Sequence, residues 1–346
     1  MYVTPRLQGP RHRAGRFLTL ASVAALAACG ATASAPVAPV APGMTKLAAA
    51  DGTPLAVHRW PVAPDRARAV VLIVHGASEH AARYDRFARF LNDNGYAVYA
   101  MDLRGHGQTR LRSGALLDAG PDAWNHFVDD QKWLRDLIGR ELPGKRVVLL
   151  GHSMGSAIAQ DYLTRYGHSV DAYILSGTFY GPPLPDDVLA ALDDAAAKAP
   201  LAPSEIFAGV FANFNKPFSD KPGFDWLSRD PAEVARYVND PLCGKPFGNE
   251  LTRDFFRGLS RMRAPAVEAR IPTDVPIHIV SGDQDPVGEN TKGVTALIDR
   301  YHALGLTRVS HKFYPQARHE LLNETNRDEV QQDLLAWLNA LPPAAP

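Results

Sequence analysis

Ser153 stands in the pentad Gly151-His152-Ser153-Met154-Gly155, between the apolar run Val147–Leu150 and the helix-compatible stretch Ser156–Tyr166. Such a pentad alone recurs by chance. A strand running into it and a helix running out make a tight turn that projects the serine side chain, with a helix N-terminus behind it to favour developing negative charge. Ser153 is therefore the candidate nucleophile. Its hydroxyl attacks only when a base removes the proton and an acid orients that base, in the chain order Ser, acid, His. Of twelve histidines, His319 in "FYPQARHELL" is the best base, because it follows the last strand candidate in a loop. His302 lies in a helix-like run and His311 begins a strand. "HIVSGDQDPVG" offers Asp283 and Asp285 after a strand; Asp285 lies further into the loop and is preferred, while Asp283 can brace the turn. The backbone N–H groups of Ala77 and Met154 are the candidate oxyanion donors, each worth about 2.7–4 kcal/mol in a transition state. His75 and His152 are read as structural.

These groups need a sheet edge to gather them. "AVVLIVHG", "YAVYAMD", "RVVLLGHS", "DAYILSG" and "IHIVSGD" are short, nearly continuous apolar runs of the kind buried on both faces of a parallel sheet, and "SHKFYP" is a sixth candidate. Asp51-Gly52 separates two further runs as a hairpin signal. Helical periodicity lies between the runs, as in "RYDRFARFLNDNG", where Tyr84, Phe87 and Leu91 share a face and Gly95 ends the helix. The expected fold class is α/β, a mostly parallel central sheet flanked by helices.

The 346 residues are 46% hydrophobic and 21% charged with zero formal net charge, an ordinary globular composition that argues against electrostatic nucleic-acid binding. Four arginines, Arg6, Arg11, Arg13 and Arg16, precede the apolar run Phe17–Ala28, which reads as a signal peptide over residues 1–28. Its end, Leu26-Ala27-Ala28-Cys29, resembles the bacterial lipobox, in which the cysteine is acylated. That implies an exported lipoprotein, membrane-anchored through Cys29 on the periplasmic side or the cell surface; cleavage after Ala33-Ser34-Ala35 into a soluble secreted or periplasmic protein is the alternative. Residues 29–43 form a Pro/Ala-rich tether. With Cys29 lipidated, Cys243 is left unpaired, most simply as a buried apolar residue.

"HGASEHAARYDRFARFLNDNGYAVYAMDLRGHGQT", "GHSMGS", "SGDQDPV" and "ARHELLNE" together resemble the monoacylglycerol lipase and lysophospholipase group of α/β-hydrolases, from about Leu47 to Leu341. The resemblance implies an α/β-hydrolase fold, a Ser153-Asp285-His319 triad, an oxyanion hole at Ala77 and Met154, and hydrolysis of single-chain acyl esters. Ser78 stands where this motif often has glycine. Export is unusual for a group often found inside cells.

Residues 44–177 and 266–346 read as the hydrolase core, and residues 178–265 as a helical cap insertion holding nine of the fourteen phenylalanines. "IFAGVFANF" places Ile206, Val210 and Phe214 on one face, a candidate lining for an acyl tunnel; the alternative is the cap's own small core. No cofactor or metal is expected, since "HGASEH" matches neither H-E-x-x-H nor H-x-x-E-H. The expected partner is a small lipid ester. A prolyl aminopeptidase-like peptidase shares fold and triad, and a non-catalytic tethered binding lipoprotein is the reading from another class.

Overall fold

A computed structural model describes residues 43–342 apart from 112, 182 and 222. The signal segment and Cys29 lie outside the described residues. Strands β1 (Gly43–Ala48), β2 (Pro54–Trp60), β3 (Ala69–Val74), β4 (Tyr96–Met101), β5 (Val147–His152), β6 (Ala172–Ser176), β7 (Ile277–Gly282) and β8 (Val309–Tyr314) form one sheet in the order β1-β2-β4-β3-β5-β6-β7-β8. The β1/β2 and β2/β4 pairs are antiparallel, and every pairing from β4 across to β8 is parallel. The Asp51-Gly52 turn makes the hairpin as its residues predict: Asp51 Oδ1 accepts the Thr53 amide at 3.0 Å, and Gly52 takes a positive φ of 83°.

Among the described residues ten α-helices accompany the strands: α1 (Asp85–Asp93), α2 (Ala123–Glu141), α3 (Met154–Tyr166), α4 (Asp186–Lys198), α5 (Glu205–Asn215), α6 (Pro231–Asn239), α7 (Asn249–Met262), α8 (Pro265–Glu268), α9 (Lys292–Ala303) and α10 (Arg327–Ala340). Parallel neighbours need crossovers, and these helices supply them on both faces. Side chains of β3 alternate accordingly. Val70, Leu72 and Val74 join the core with α2, α3 and α9, while Ala69, Val71 and Ile73 join the core with α1 and α10. All of β3, β4, β5 and β7 is buried, which explains the continuous apolar runs. Each fully buried Val, Leu or Ile contributes about 1.5–3 kcal/mol of burial free energy. No described helix is long and apolar enough to cross a membrane.

Between β6 and β7 the alternation gives way to α4–α8. Helix α7 lies so close to α2 that a Cβ at Gly258 would fall 2.2 Å from the Trp124 ring. Asp254 Oδ2, also on α7, accepts the Ala123 amide at 2.8 Å, satisfying a donor in the first turn of α2. Helix α5 is capped by Ser204, whose hydroxyl accepts the Phe207 amide. Of the expected face, Val210 and Phe214 line a cavity beside Ser153 and Ile206 does not. Ile206 is 42% exposed, whereas Phe207 is 4% exposed and stacks on Phe247 at 3.9 Å between ring centroids. The inward stripe is Phe207, Val210, Phe211 and Phe214, with Phe207 in place of Ile206, because Phe247 on the chain after α6 receives Phe207.

Candidate active site

The strand-to-helix turn after β5 holds Ser153 at φ 54° and ψ −122°, a backbone region costing a non-glycine residue of order 1–3 kcal/mol. The surroundings maintain it. Ser153 N–H donates to the Ser176 carbonyl at 2.9 Å, tying the turn to β6, and the Ser156 amide and hydroxyl both donate to the Ser153 carbonyl. The two glycines are required by contact: a Cβ at Gly155 would fall 2.1 Å from the Val74 carbonyl oxygen, and one at Gly151 2.3 Å from the Gly155 carbonyl oxygen. Ser153 remains partly exposed while its neighbours His152 and Met154 are buried.

Asp285 and His319 arrive from the loops after β7 and β8. Both are buried, and His319 Nδ1 sits 3.0 and 2.9 Å from the two Asp285 carboxylate oxygens. Asp285 Oδ1 also accepts the Val287 amide, which fixes the carboxylate. Asp283 faces elsewhere: its carboxylate accepts the Gln316 amide at 2.7 Å and braces the two loops. His302 is exposed on α9 and His311 exposed on β8, so neither joins this group. His319 shares a narrow cleft with Ser153, Gly76, Ala77 and Trp226.

Ala77 lies in the loop after β3, and its N–H belongs to the same peptide plane as the Gly76 carbonyl. That carbonyl is held by His75. Leu103 N–H donates to His75 Nε2 at 2.9 Å, so the ring proton is assigned to Nδ1, 2.8 Å from Gly76 O, as its donor. Burial pushes the His75 pKa down, which keeps the ring neutral. The Gly76 amide in turn donates to Glu79 Oε1 at 2.5 Å. Among the described residues neither the Ala77 nor the Met154 amide donates a hydrogen bond to the protein, so two N–H groups stay available beside Ser153.

A buried ion cluster links this loop to the histidine loop. Arg83 bridges Glu79 Oε2 at 2.6 Å and both oxygens of Glu320, next to His319, at 2.7 Å, and stacks over the Tyr237 ring. Burial would raise the Glu79 pKa, but Arg83, the neighbouring His152 and His75 and the Gly76 amide together outweigh it and bring the carboxyl down to about 2. His152 packs its ring 4.7 Å from that of His319 and is driven down to about 4, by burial first and by His319 second. Sequence reasoning left this cluster out. Its signal was the Glu79/Arg83 spacing of four residues and the acid directly after His319.

Ser78 explains its own departure from the motif. It has φ 55°, where glycine is the unstrained choice, yet its hydroxyl donates to the Lys245 carbonyl at 2.6 Å. Its carbonyl accepts from the Gly244 amide and the Tyr237 hydroxyl. Three bonds therefore pin the Ala77 loop to α6 and the α6–α7 connection.

Beside Ser153, Ala77 and Met154 opens a cavity of about 270 Å³. Phe207, Val210, Phe211 and Phe214 of α5, with Phe255 and Leu259 of α7, form much of its wall. Trp226 lies between this wall and the His319 ring, 5.0 Å from the latter.

The family described as "Serine aminopeptidase, S33" matches residues 65–326 of the chain. The chain belongs to this family of α/β-hydrolases. The chain is 30% identical over 276 residues to the monoacylglycerol lipase of Mycolicibacterium smegmatis, covering 78% of this chain and 88% of that lipase. The human monoglyceride lipase is 28% identical over 294 residues, covering 81% and 88%. Among solved structures, a thermostable carboxyl esterase from Bacillus coagulans in complex with glycerol superposes with a TM-score of 0.77 at 27% identity, covering 86% of this chain and 98% of that one. Within the S33 family the chain falls in the monoacylglycerol lipase and lysophospholipase group, and it is an enzyme of the serine esterase and lipase kind.

Proposed function

We propose that this S33 hydrolase cleaves carboxylic esters carrying a single acyl chain, such as monoacylglycerol or lysophospholipid. The observation that carries the reading is the aromatic cavity opening directly beside Ser153, Ala77 and Met154. An acyl chain in that cavity sets the ester carbon against Ser153 Oγ and its carbonyl oxygen near the two free amides. His319 Nε2 takes the serine proton as the Oγ–C bond forms, and Asp285 stabilises the imidazolium through Nδ1. The oxyanion draws on the Ala77 and Met154 N–H groups. Collapse breaks the ester C–O bond, the alcohol leaves with the proton from His319, and water then repeats the sequence to free the acid.

A hydrolysis panel of monoacylglycerols, lysophospholipids, short p-nitrophenyl esters and proline arylamides, with the chain lacking residues 1–28, tests this directly. Esters with one medium or long chain should rank first, ahead of acetates and triacylglycerols. Faster cleavage of proline arylamides than of any ester would instead assign the peptidase chemistry in the family's description. On the sequence alone we also propose that Cys29 carries the lipid of an exported, membrane-anchored protein. Mass spectrometry of the mature N-terminus should find a lipid-modified Cys29; an unmodified N-terminal Pro36 would give a soluble exported form.

A further inference from the structure

Three metal-ligating side chains meet next to the catalytic cleft, on a turn that no step above uses. His80 comes from the loop after β3, three residues past Ala77. Asp240 and Cys243 come from the turn after α6, which is closed by the Cys243 amide donating to the Asp240 carbonyl at 3.0 Å. His80 Nε2 lies 2.9 Å from Asp240 Oδ2, and one ligand atom from each of the three residues lies within 4.8 Å of the others. Among the described residues this is the one such group of three.

The donor set is imidazole nitrogen, carboxylate oxygen and thiol sulfur, the mixture that suits a borderline cation such as Zn²⁺ rather than Mg²⁺ or Ca²⁺. Two residues separate Asp240 from Cys243, a spacing that lets one short turn present two ligands to one ion. The carboxylate is already oriented, since its Oδ1 accepts the Leu242 amide at 2.8 Å. Access is graded. The Asp240 side chain is 28% exposed and that of His80 10%, while Cys243 is buried beneath them. Burial pushes the Cys243 thiol pKa up, with Glu79, Asp240 and Glu320 adding to the rise and Arg83 opposing it, so the thiol keeps its proton until an ion displaces it. Tyr237 packs beside it.

We propose that His80, Asp240 and Cys243 form a binding site for a zinc-class divalent ion, which staples the turn after α6 to the loop carrying Ala77. On binding, the His80–Asp240 hydrogen bond gives way to two metal bonds, with the imidazole proton on Nδ1. The Cys243 S–H bond breaks, its proton goes to solvent and its electron pair to the metal. A water completes the fourth position.

Cobalt(II) is the probe, added to the purified full chain. One equivalent should bind and give a near-ultraviolet thiolate-to-cobalt charge-transfer band, which one equivalent of Zn²⁺ removes. Cys243→Ser should abolish the band, and it and His80→Asn should each weaken binding by about tenfold or more. Absence of the band in the unmodified chain at one equivalent overturns the proposal without recourse to any variant. Unchanged affinity in both variants would also overturn it, since other groups would then hold the ion. In either case the three side chains are only a hydrogen-bonded His–Asp pair beside a core cysteine.

Discussion

At the residue scale the chemistry rests on side chains whose identity was readable, and on backbone groups whose orientation was not. Ser153→Ala should abolish turnover and labelling by a fluorophosphonate probe while circular dichroism stays unchanged; retained labelling would remove Ser153 as nucleophile. Asp285→Asn should lower kcat by orders of magnitude, because the amide cannot hold the His319 tautomer. Asp283→Asn should cost far less, since its carboxylate meets only the Gln316 amide of the bracing turn, and steady-state kinetics on the two variants rank them. Asp285 stood out from Asp283 only by its depth in the loop. The way His75 and Glu79 hold the Ala77 peptide was hidden, because it depends on a ring reaching Leu103 across the sheet and a carboxylate turning back on its own loop. Glu79→Gln keeps an acceptor for the Gly76 amide but loses the charge facing Arg83. It should lower kcat by part of the roughly 10²–10³-fold that one whole donor supplies, with KM little changed. A rise in KM at constant kcat would place Glu79 in substrate binding instead.

At the scale of elements, the parallel strands were legible because burial on both faces writes itself as unbroken apolar runs, and the elbow because glycine alone fits where Val74 approaches α3. Helix α5 shows where that legibility stopped. The spacing of its apolar residues announces a helix, but "IFAGVFANF" is apolar nearly all round, so periodicity could not choose the face. Phe247, forty residues on, made the choice by stacking on Phe207. If the stripe Phe207, Val210, Phe211 and Phe214 holds an acyl chain, each added methylene is worth about 0.8 kcal/mol and should raise kcat/KM several-fold until the cavity is full. Phe211→Ala should flatten that chain-length profile, whereas Ile206→Ala, on the outward side, should leave it intact. An equal effect of both substitutions would mean that the profile is set away from α5.

For the molecule as a whole, several histidines are held neutral inside the fold, and this fixes how the enzyme responds to acid. His75 contacts the Gly76 carbonyl and the Leu103 amide. His106 sits among Phe127 and Phe247 with its Nε2 unpartnered among the described residues, and His152 lies against His319. Burial drives all three pKa values below the ordinary 6.5, His106 to about 3 and His152 to about 4. Below pH 6.5 the unfolded chain binds protons at these sites that the folded chain refuses, so stability rises with pH across this window and is lost on acidification. Each unit of depressed pKa corresponds to about 1.4 kcal/mol once the pH has fallen through it. Glu79 continues the loss further down: its pKa is depressed from 4.5 to about 2, so its contribution is present above 4.5 and disappears as the pH falls through 2. The melting temperature should therefore hold near neutrality and fall steadily once the pH drops below about 6.5, well before carboxylates begin to protonate. His106→Leu removes one titrating ring at little change in volume and should shallow that slope even if it lowers stability at neutral pH. Calorimetry across the acid range decides the point: a melting temperature that stays flat until the carboxylate range would show that these histidines take up protons without opposing the fold.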